Sequence, residues 1–446
     1  MPSFQRPVAE AVPPMLLSPV ENLVCRVEER FNGAGRVALV LHVEGCLEEK
    51  LLSAALALVQ RRHPKLQAVI EPGPGRHRRY RFVADPPPIP FTVTDVVGEE
   101  LPWREEAHRL LQIGFPLTTG PLAAVAIVRD RVRNRSVLVV TAHHAIADGL
   151  SAIVLADSIL DAYASIEQGQ ESAAITPRPV IAVNGASFTG GWGNRLRLAR
   201  WCFRLWREDQ RFRWTKLPES RTVSPHTQWV HWVFSKQETL GLVTACRKRH
   251  VSLSGALFAA ICCGLMDCLP DGEAQFKCKF PIDLRAQLGS GQANISPLDL
   301  GCFVSFFQEY YVVHSRPDFW ALARQLHEDL QKFVTQQGPA FVYNLSKSVT
   351  ELRPPKHIKR GTLLATNYGV VNLRARYGGL RPTSCTLIFK NDIVGPSLVM
   401  EALTLGLELN VGLAAFDLEP AFWDRLQEKV RGYLQRHAEA TPERLA

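Results

Sequence analysis

Along the 446 residues, short β-branched runs alternate with segments whose apolar positions recur every three or four residues, which predicts a mixed α/β chain. After a Pro-rich arm over residues 1–20 and a first element at Pro19–Phe31, Arg36–Glu44 reads as a strand. Leu47–Arg62 carries apolar residues at 47, 51, 52, 55, 58 and 59, one face of a helix. His63-Pro64 closes it, because proline disfavours helical geometry in the residue before it, and His63 is read as capping or packing. Strands are predicted at Leu66–Ile70, His77–Val83 and Ile89–Val93, and a helix at Trp103–Ile113. A Gly/Pro turn at Phe115–Leu122 leads into Ala123–Arg129, which is expected to pair as a hairpin with the apolar run Ser136–Ala142. From Gly149 the period changes again, with Leu150, Ile153, Val154, Ile159 and Leu160 on one helical stripe.

A second series starts with a strand at Gln228–Ser235 and a helix at Lys236–Arg249. Val251–Ile261 is small and apolar all round, which predicts a buried helix with Ser252 as its N-cap. Strands follow at Phe276–Ile282, Leu300–Val313, Thr383–Lys390, Leu398–Leu405 and Leu407–Ala415, then a closing helix at Pro420–Arg436. Between the two series the composition shifts. Gln, Ser, Pro and Gly lead from about residue 168, and Arg195–Arg213 then holds seven arginines with Trp201 and Trp206 among leucines and phenylalanines. This basic helix is read in two ways: as an interfacial helix that touches anionic lipid or guides a lipophilic substrate, or as a crossing helix packed between subdomains with its arginine heads in water. No alternation of aromatic and basic residues on strands points to a nucleic-acid platform.

Composition narrows the class. With 46% hydrophobic and 21% charged residues the chain is an ordinary globular one, long enough for two to three domains or two large subdomains. The formal charge of +9 favours acidic partners. The ten cysteines sit mostly in apolar segments with no C-x-x-C, as expected of reduced core residues in the cytoplasm. No uninterrupted apolar leader opens the chain, and the longest apolar stretch, Gly255–Met266, is too short to span a bilayer.

The chemistry concentrates where the run Ser136–Ala142 ends in His143, His144, Asp148 and Gly149. A neutral imidazole at a strand-to-helix boundary is suited to take a proton near pH 7, and a carboxylate four residues on can fix the loop or a ring tautomer. A metal site is disfavoured, since adjacent histidines rarely share an ion and no H-E-x-x-H follows.

The string H-H-A-I-A-D-G at 143–149 fits H-H-x-x-x-D-G, and on it the chain resembles the condensation-domain superfamily, which has the chloramphenicol-acetyltransferase-like fold. Further strings in the expected order resemble the family as well: R-H-P-K-L at 62–66, G-P-L at 120–122, P-I-D-L-R at 281–285, L-G-C-F-V-S at 300–305 and T-N-Y-G at 366–369. The D-F-G-W-G string of the plant CoA-dependent branch is absent. The resemblance implies two α/β subdomains in a V-shaped pseudo-dimer with mixed sheets and a central tunnel, over residues 1–175 and 215–446, joined by a connector at 176–214.

It further implies His144 as general base, with His143, Asp148, Gly149 and Arg285 in structural support. Asp148 is expected to pair with Arg285, Gly149 to leave room for a pantetheine arm, and Asn367 and Gly369 to lie near the tunnel, with Asn367 a candidate oxyanion donor. The expected reaction is acyl transfer by a freestanding, monomeric enzyme from acyl-CoA or a phosphopantetheine-linked donor on an acyl carrier protein to a hydroxyl or amine, with no metal and no tightly bound cofactor. The expected location is cytoplasmic, at most peripheral to the inner membrane surface. An amide-forming or epimerising domain, a non-catalytic carrier-docking module and a metal-dependent hydrolase are the alternatives.

Overall fold

The near-continuous apolar runs of the first series are apolar because both faces of their sheet are covered. A computed structural model describes residues 13–30, 36–75, 77–98, 101–170, 178–179, 191–211, 215–220, 228–288, 295–351, 361–390 and 397–439. The first half contains β1 (Met15–Leu16), α1 (Pro19–Arg30), β2 (Val37–Glu44), α2 (Glu49–Arg62), β3 (Ala68–Pro72), β4 (Arg78–Phe82) and β5 (Phe91–Asp95). It continues with α3 (Trp103–Gln112), β6 (Ala123–Asp130), β7 (Arg135–Ala142) and α4 (Gly149–Glu167). Leu39 and Leu41 of β2, with Leu138 and Val140 of β7, face α2 and α4, while Ala38, Val40, Val137 and Val139 face α3. Burial on both sides removes the polar alternation that an exposed sheet would show. For the same reason α4 is apolar enough to cross a membrane by length and hydropathy, yet 72% of that window is buried as a core helix. The region predicted as a strand from Leu66 opens instead with a 3-10 turn at Pro64–Gln67, and the strand begins at Ala68.

The connector helix α5 (Trp192–Arg211) precedes the second half: β8 (Gln228–Phe234), α6 (Lys236–Lys248), α7 (Leu253–Cys268), β9 (Glu273–Asp283), α8 (Arg285–Leu288) and β10 (Val304–His314). Then come α9 (Phe319–Thr335), α10 (Gly338–Glu351), β11 (Leu363–Val371), β12 (Arg381–Phe389), β13 (Leu398–Leu405), β14 (Glu408–Ala415) and α11 (Pro420–Glu439). Ser252 caps α7 by accepting from the Gly255 N–H, and α7 is buried from Gly255 to Met266 against α9 and α11. The pattern reading left residues 314–362 unassigned, although α9 carries a legible signal: Asp318 caps it, and Phe319, Leu322, Leu326 and Phe333 repeat on its buried face.

Among the described residues three sheets result, in the orders β1-β4-β3, β12-β2-β7-β6-β5 and β10-β9-β11-β13-β14-β8. Strand β12 belongs by sequence to the second half, yet it pairs antiparallel with β2 from Phe389 opposite Val37 to Arg381 opposite Glu44. The division of the chain at 1–175 and 215–446 is therefore not the division between sheets: the exposed edge of β2 is closed by a strand from far along the chain. The two large sheets are stitched where β12 meets β13 and β14, through Asn410 Oδ1 accepting from Cys385 N at 3.1 Å and Glu401 accepting from the Thr386 hydroxyl and from Leu387 N.

Glu401 is 2% exposed, its second oxygen has no hydrogen-bond partner among the described residues, and burial pushes its carboxyl up to about 8. The folded chain thus binds a proton that the unfolded chain releases near pH 4.3, so Glu401 costs stability increasingly as pH rises from that value to about 8, by about 1.4 kcal/mol per pH unit. Glu401→Gln keeps the shape without the charge. Its melting temperature is expected to exceed that of the parent at pH 8 and to converge with it at pH 5; an equal offset at both pH values contradicts the assignment.

Candidate active site

Strand β7 ends at Ala142, and the chain turns at once: His143 N–H donates to Leu122 O at 2.8 Å and Ile146 N–H to His143 O at 2.9 Å. The His143 ring is fully engaged. Ala145 N–H donates to Nδ1 at 3.1 Å, so Nδ1 carries the lone pair and Nε2 the proton, which it donates to Glu28 of α1 at 2.7 Å. Burial raises the Glu28 carboxyl, but His143 and Arg36 outweigh it and hold Glu28 below its ordinary value. Tyr80 Oη donates to Ala145 O at 2.8 Å and fixes the turn from the other side. His143, 1% exposed and with both nitrogens in use, is therefore a structural post and not a base.

Asp148 N-caps α4, with Oδ1 accepting from Ser151 N–H at 2.8 Å. The expected partner is present: Arg285 donates through both terminal nitrogens, at 2.8 Å to Oδ1 and 3.0 Å to Oδ2. Phe303 N–H also donates to Oδ2 at 3.0 Å, and Ser151 Oγ bonds both Arg285 and Gly301. Burial alone would raise the Asp148 carboxyl, but Arg285 and the two backbone N–H groups hold it below the usual range. Residues 300–303, read from sequence as the opening of a strand, are a loop instead, because their backbone turns toward Asp148 and Ser151; β10 starts only at Val304. This cluster joins the catalytic-loop candidate of the first half to the second half at one point.

His144 is the only residue from 143 to 148 that is not fully buried. Its Nδ1 lies 3.8 Å from Cys302 Sγ. Among the described residues no hydrogen bond engages Nε2, which is the nitrogen left for a substrate. Desolvation lowers the His144 pKa below 6.5, which keeps the ring neutral at pH 7. Burial pushes the neighbouring Cys302 thiol well above its ordinary value, so it stays protonated.

The space that Gly149 was expected to leave for a donor arm is taken by Tyr368: a Cβ on Gly149 would lie 2.4 Å from the phenol oxygen and 2.5 Å from Cε1. A bulge in β11 aims this ring across the interface. The pairing of β11 with β13 slips between Asn367 and Val370, Gly369 takes φ +71°, and Asn367 Oδ1 accepts from Gly369 N–H at 2.9 Å. Asn367 Nδ2 donates to Ser254 Oγ at 3.4 Å, so both ends of the amide shape their own half of the chain.

The glycine is required by this close approach, and Gly149→Ala is expected to cost about 1–3 kcal/mol. In a Tyr368→Leu background that cost should fall by at least half, as measured by urea midpoints. An unchanged cost would mean that the tyrosine ring yields.

Sequence reasoning missed Glu28, Ser151, Cys302, Phe303 and Tyr368 as members of the site; only Tyr368 and the 300–305 string stood inside quoted motifs. Among the described residues no group of three or more His, Cys, Asp or Glu side chains is placed to hold a metal ion. His63, buried with Nε2 3.1 Å from Ser158 Oγ, packs against α4.

The condensation domain family model matches residues 30–341, which spans both the His143–Gly149 loop and Arg285. The chain belongs to the condensation domain family. A nonribosomal peptide synthetase from Curvularia clavata is 29% identical over 143 residues, 32% of this condensation-family chain and 1% of that synthetase. The chain thus spans only a small fraction of the curated relative that it matches. Among solved structures, a trichothecene 15-O-acetyltransferase from Fusarium sporotrichioides superposes with a TM-score of 0.71 at 12% identity, covering 95% of each chain. Polyketide synthase associated protein 5 from Mycobacterium tuberculosis gives 0.66 at 16% identity, over 96% of this chain and 100% of that one. At these identities the likeness establishes the fold: the two-subdomain, chloramphenicol-acetyltransferase-like arrangement of mixed sheets.

Proposed function

We propose that this condensation-family chain is an acyltransferase that moves an acyl group from a thioester, on CoA or on the phosphopantetheine of a carrier protein, to a hydroxyl or amine, with His144 as general base. One observation carries the reading: an imidazole that burial keeps neutral at pH 7 yet leaves partly exposed, with no hydrogen-bond partner at Nε2 among the described residues, on a loop pinned at both ends by His143–Glu28 and Asp148–Arg285. Nε2 takes the proton of the acceptor as its oxygen or nitrogen attacks the thioester carbonyl. When the tetrahedral intermediate collapses, the C–S bond breaks and the imidazolium returns the proton to the leaving thiolate. The base contributes on the order of 10²–10⁴ in rate, and alignment of the two substrates supplies much of the remainder. No acyl-enzyme is needed, and Cys302, protonated and placed at Nδ1 rather than Nε2, is not a nucleophile.

One relative is by name an O-acetyltransferase and another a peptide synthetase. The same proton transfer serves ester and amide formation, so the acceptor decides between them. Incubation with a panel of acyl-CoA and carrier-bound thioesters together with alcohols and amines, read by mass spectrometry, should give an acyl-acceptor adduct and a free thiol. Release of free acid alone, or an acyl adduct on Cys302, contradicts the proposal.

A further inference from the structure

The connector helix α5 has two faces with opposite partners. Inward, Leu198 and Leu205 are buried, and Trp201 stacks on Phe307 of β10 and packs against Phe333 of α9. Outward, Trp192, Leu196, Phe203 and Trp206 are 87%, 53%, 61% and 60% exposed. Their spacing, i, i+4, i+11 and i+14, puts all four on one stripe about 21 Å long with a tryptophan at each end. Arg200 and Arg207 are exposed beside this stripe, and Arg197 is exposed further round the helix. The two carboxylates of the helix are turned away from it and occupied: Glu208 pairs with Arg204, and Asp209 with Lys277 and the Tyr310 hydroxyl. The outward side of α5 is thus aromatic and cationic, with no acidic group of its own. The cleft of about 700 Å³ between α5, β10 and α9 is mixed in charge, lined by Arg197, Arg200 and Lys332 but also by Asp329 and by Glu309, which pairs with Arg204.

We propose that α5 is a docking surface for an anionic lipid bilayer, with the aromatic stripe seated at the level of the headgroups and the flanking arginines on lipid phosphates. A straight apolar stripe with cations beside it matches a fluid anionic surface, which needs no shape complementarity. A second copy of the chain is disfavoured, because two such faces would oppose arginine to arginine. The inference is independent of the acyl-transfer reading, since it uses no residue of the His144 loop.

Co-sedimentation with phosphatidylcholine vesicles, with and without phosphatidylglycerol, tests it. The intact chain is expected to pellet only with the anionic vesicles and to be released by high salt. Arg200→Gln with Arg207→Gln should weaken partitioning roughly 25-fold, about fivefold per cation at about 1 kcal/mol each. Phe203→Ala with Trp206→Ala should abolish it, and both variants should melt like the parent because all four side chains are exposed. The proposal is overturned if the parent stays in the supernatant with both vesicle types, or if both variants bind as the parent does. It is also overturned if the aromatic pair instead converts a dimer to a monomer in size-exclusion chromatography, or abolishes capture of an acidic carrier protein while the parent ignores vesicles.

Discussion

His144→Ala is expected to lose about 10²–10⁴ of the acyl-transfer rate while unfolding at the same denaturant concentration as the parent. The asymmetry follows from the ring's position. His144 is partly exposed, and its ring makes one weak polar contact among the described residues, to Cys302, so the fold gives up little when it is removed. A variant retaining more than about a tenth of the parent turnover would lie outside the range for a general base and remove His144 from the mechanism. The pH profile provides a second reading. Because desolvation lowers the His144 pKa, the ring stays neutral at pH values where an ordinary histidine is half protonated. Activity should therefore hold steady through pH 6.5 and fall on an acid limb below it; a limb centred above 6.5, or none, contradicts the assignment.

Asp148→Ala should do the reverse at the level of the fold, losing about 3–5 kcal/mol of stability. It leaves the buried Arg285 guanidinium without its two-point partner and deprives Ser151 and Phe303 of an acceptor for their N–H groups. The sign with pH follows from the carboxyl's lowered pKa. The contribution is present above the unfolded aspartate value of about 3.9 and disappears as pH falls through the lower folded value, so parent and variant converge toward acid. Chemical denaturation of Asp148→Ala beside His144→Ala measures the contrast. If Asp148→Ala is as stable as the parent but inactive, the carboxylate acts on substrate rather than on the loop.

How legible the site was depended on whether a contact leaves a local mark in sequence. The Asp148–Arg285 pair was legible because each residue stood in its own recognisable string. The Glu28–His143 bond was not, since Glu28 is one acidic residue among several on an amphipathic helix and nothing in α1 says which of them turns inward. Tyr368 stood in a quoted string, but a strand's alternation could not show that a bulge at Gly369 would send its ring against Gly149. In the fold, α2, α6 and α7 followed from periodicity and capping, whereas the pairing of β12 with β2 leaves no trace in either segment, both of which read as ordinary apolar strands.

That crossing strand also sets a schedule for synthesis. Strands β2, β5, β6 and β7 have all been made by Ala142, yet β2 lacks its outer neighbour until Phe389 has emerged, roughly 250 residues later and, at about 5–20 residues per second, about 10–50 s afterwards. For that interval the nascent first half presents the unpaired backbone of Val37–Glu44, the apolar edge most open to pairing with another chain. A gene cut between the two halves should accordingly yield an aggregating amino-terminal product, and co-expression of the carboxyl-terminal piece, which carries the missing strand, should return it to solution.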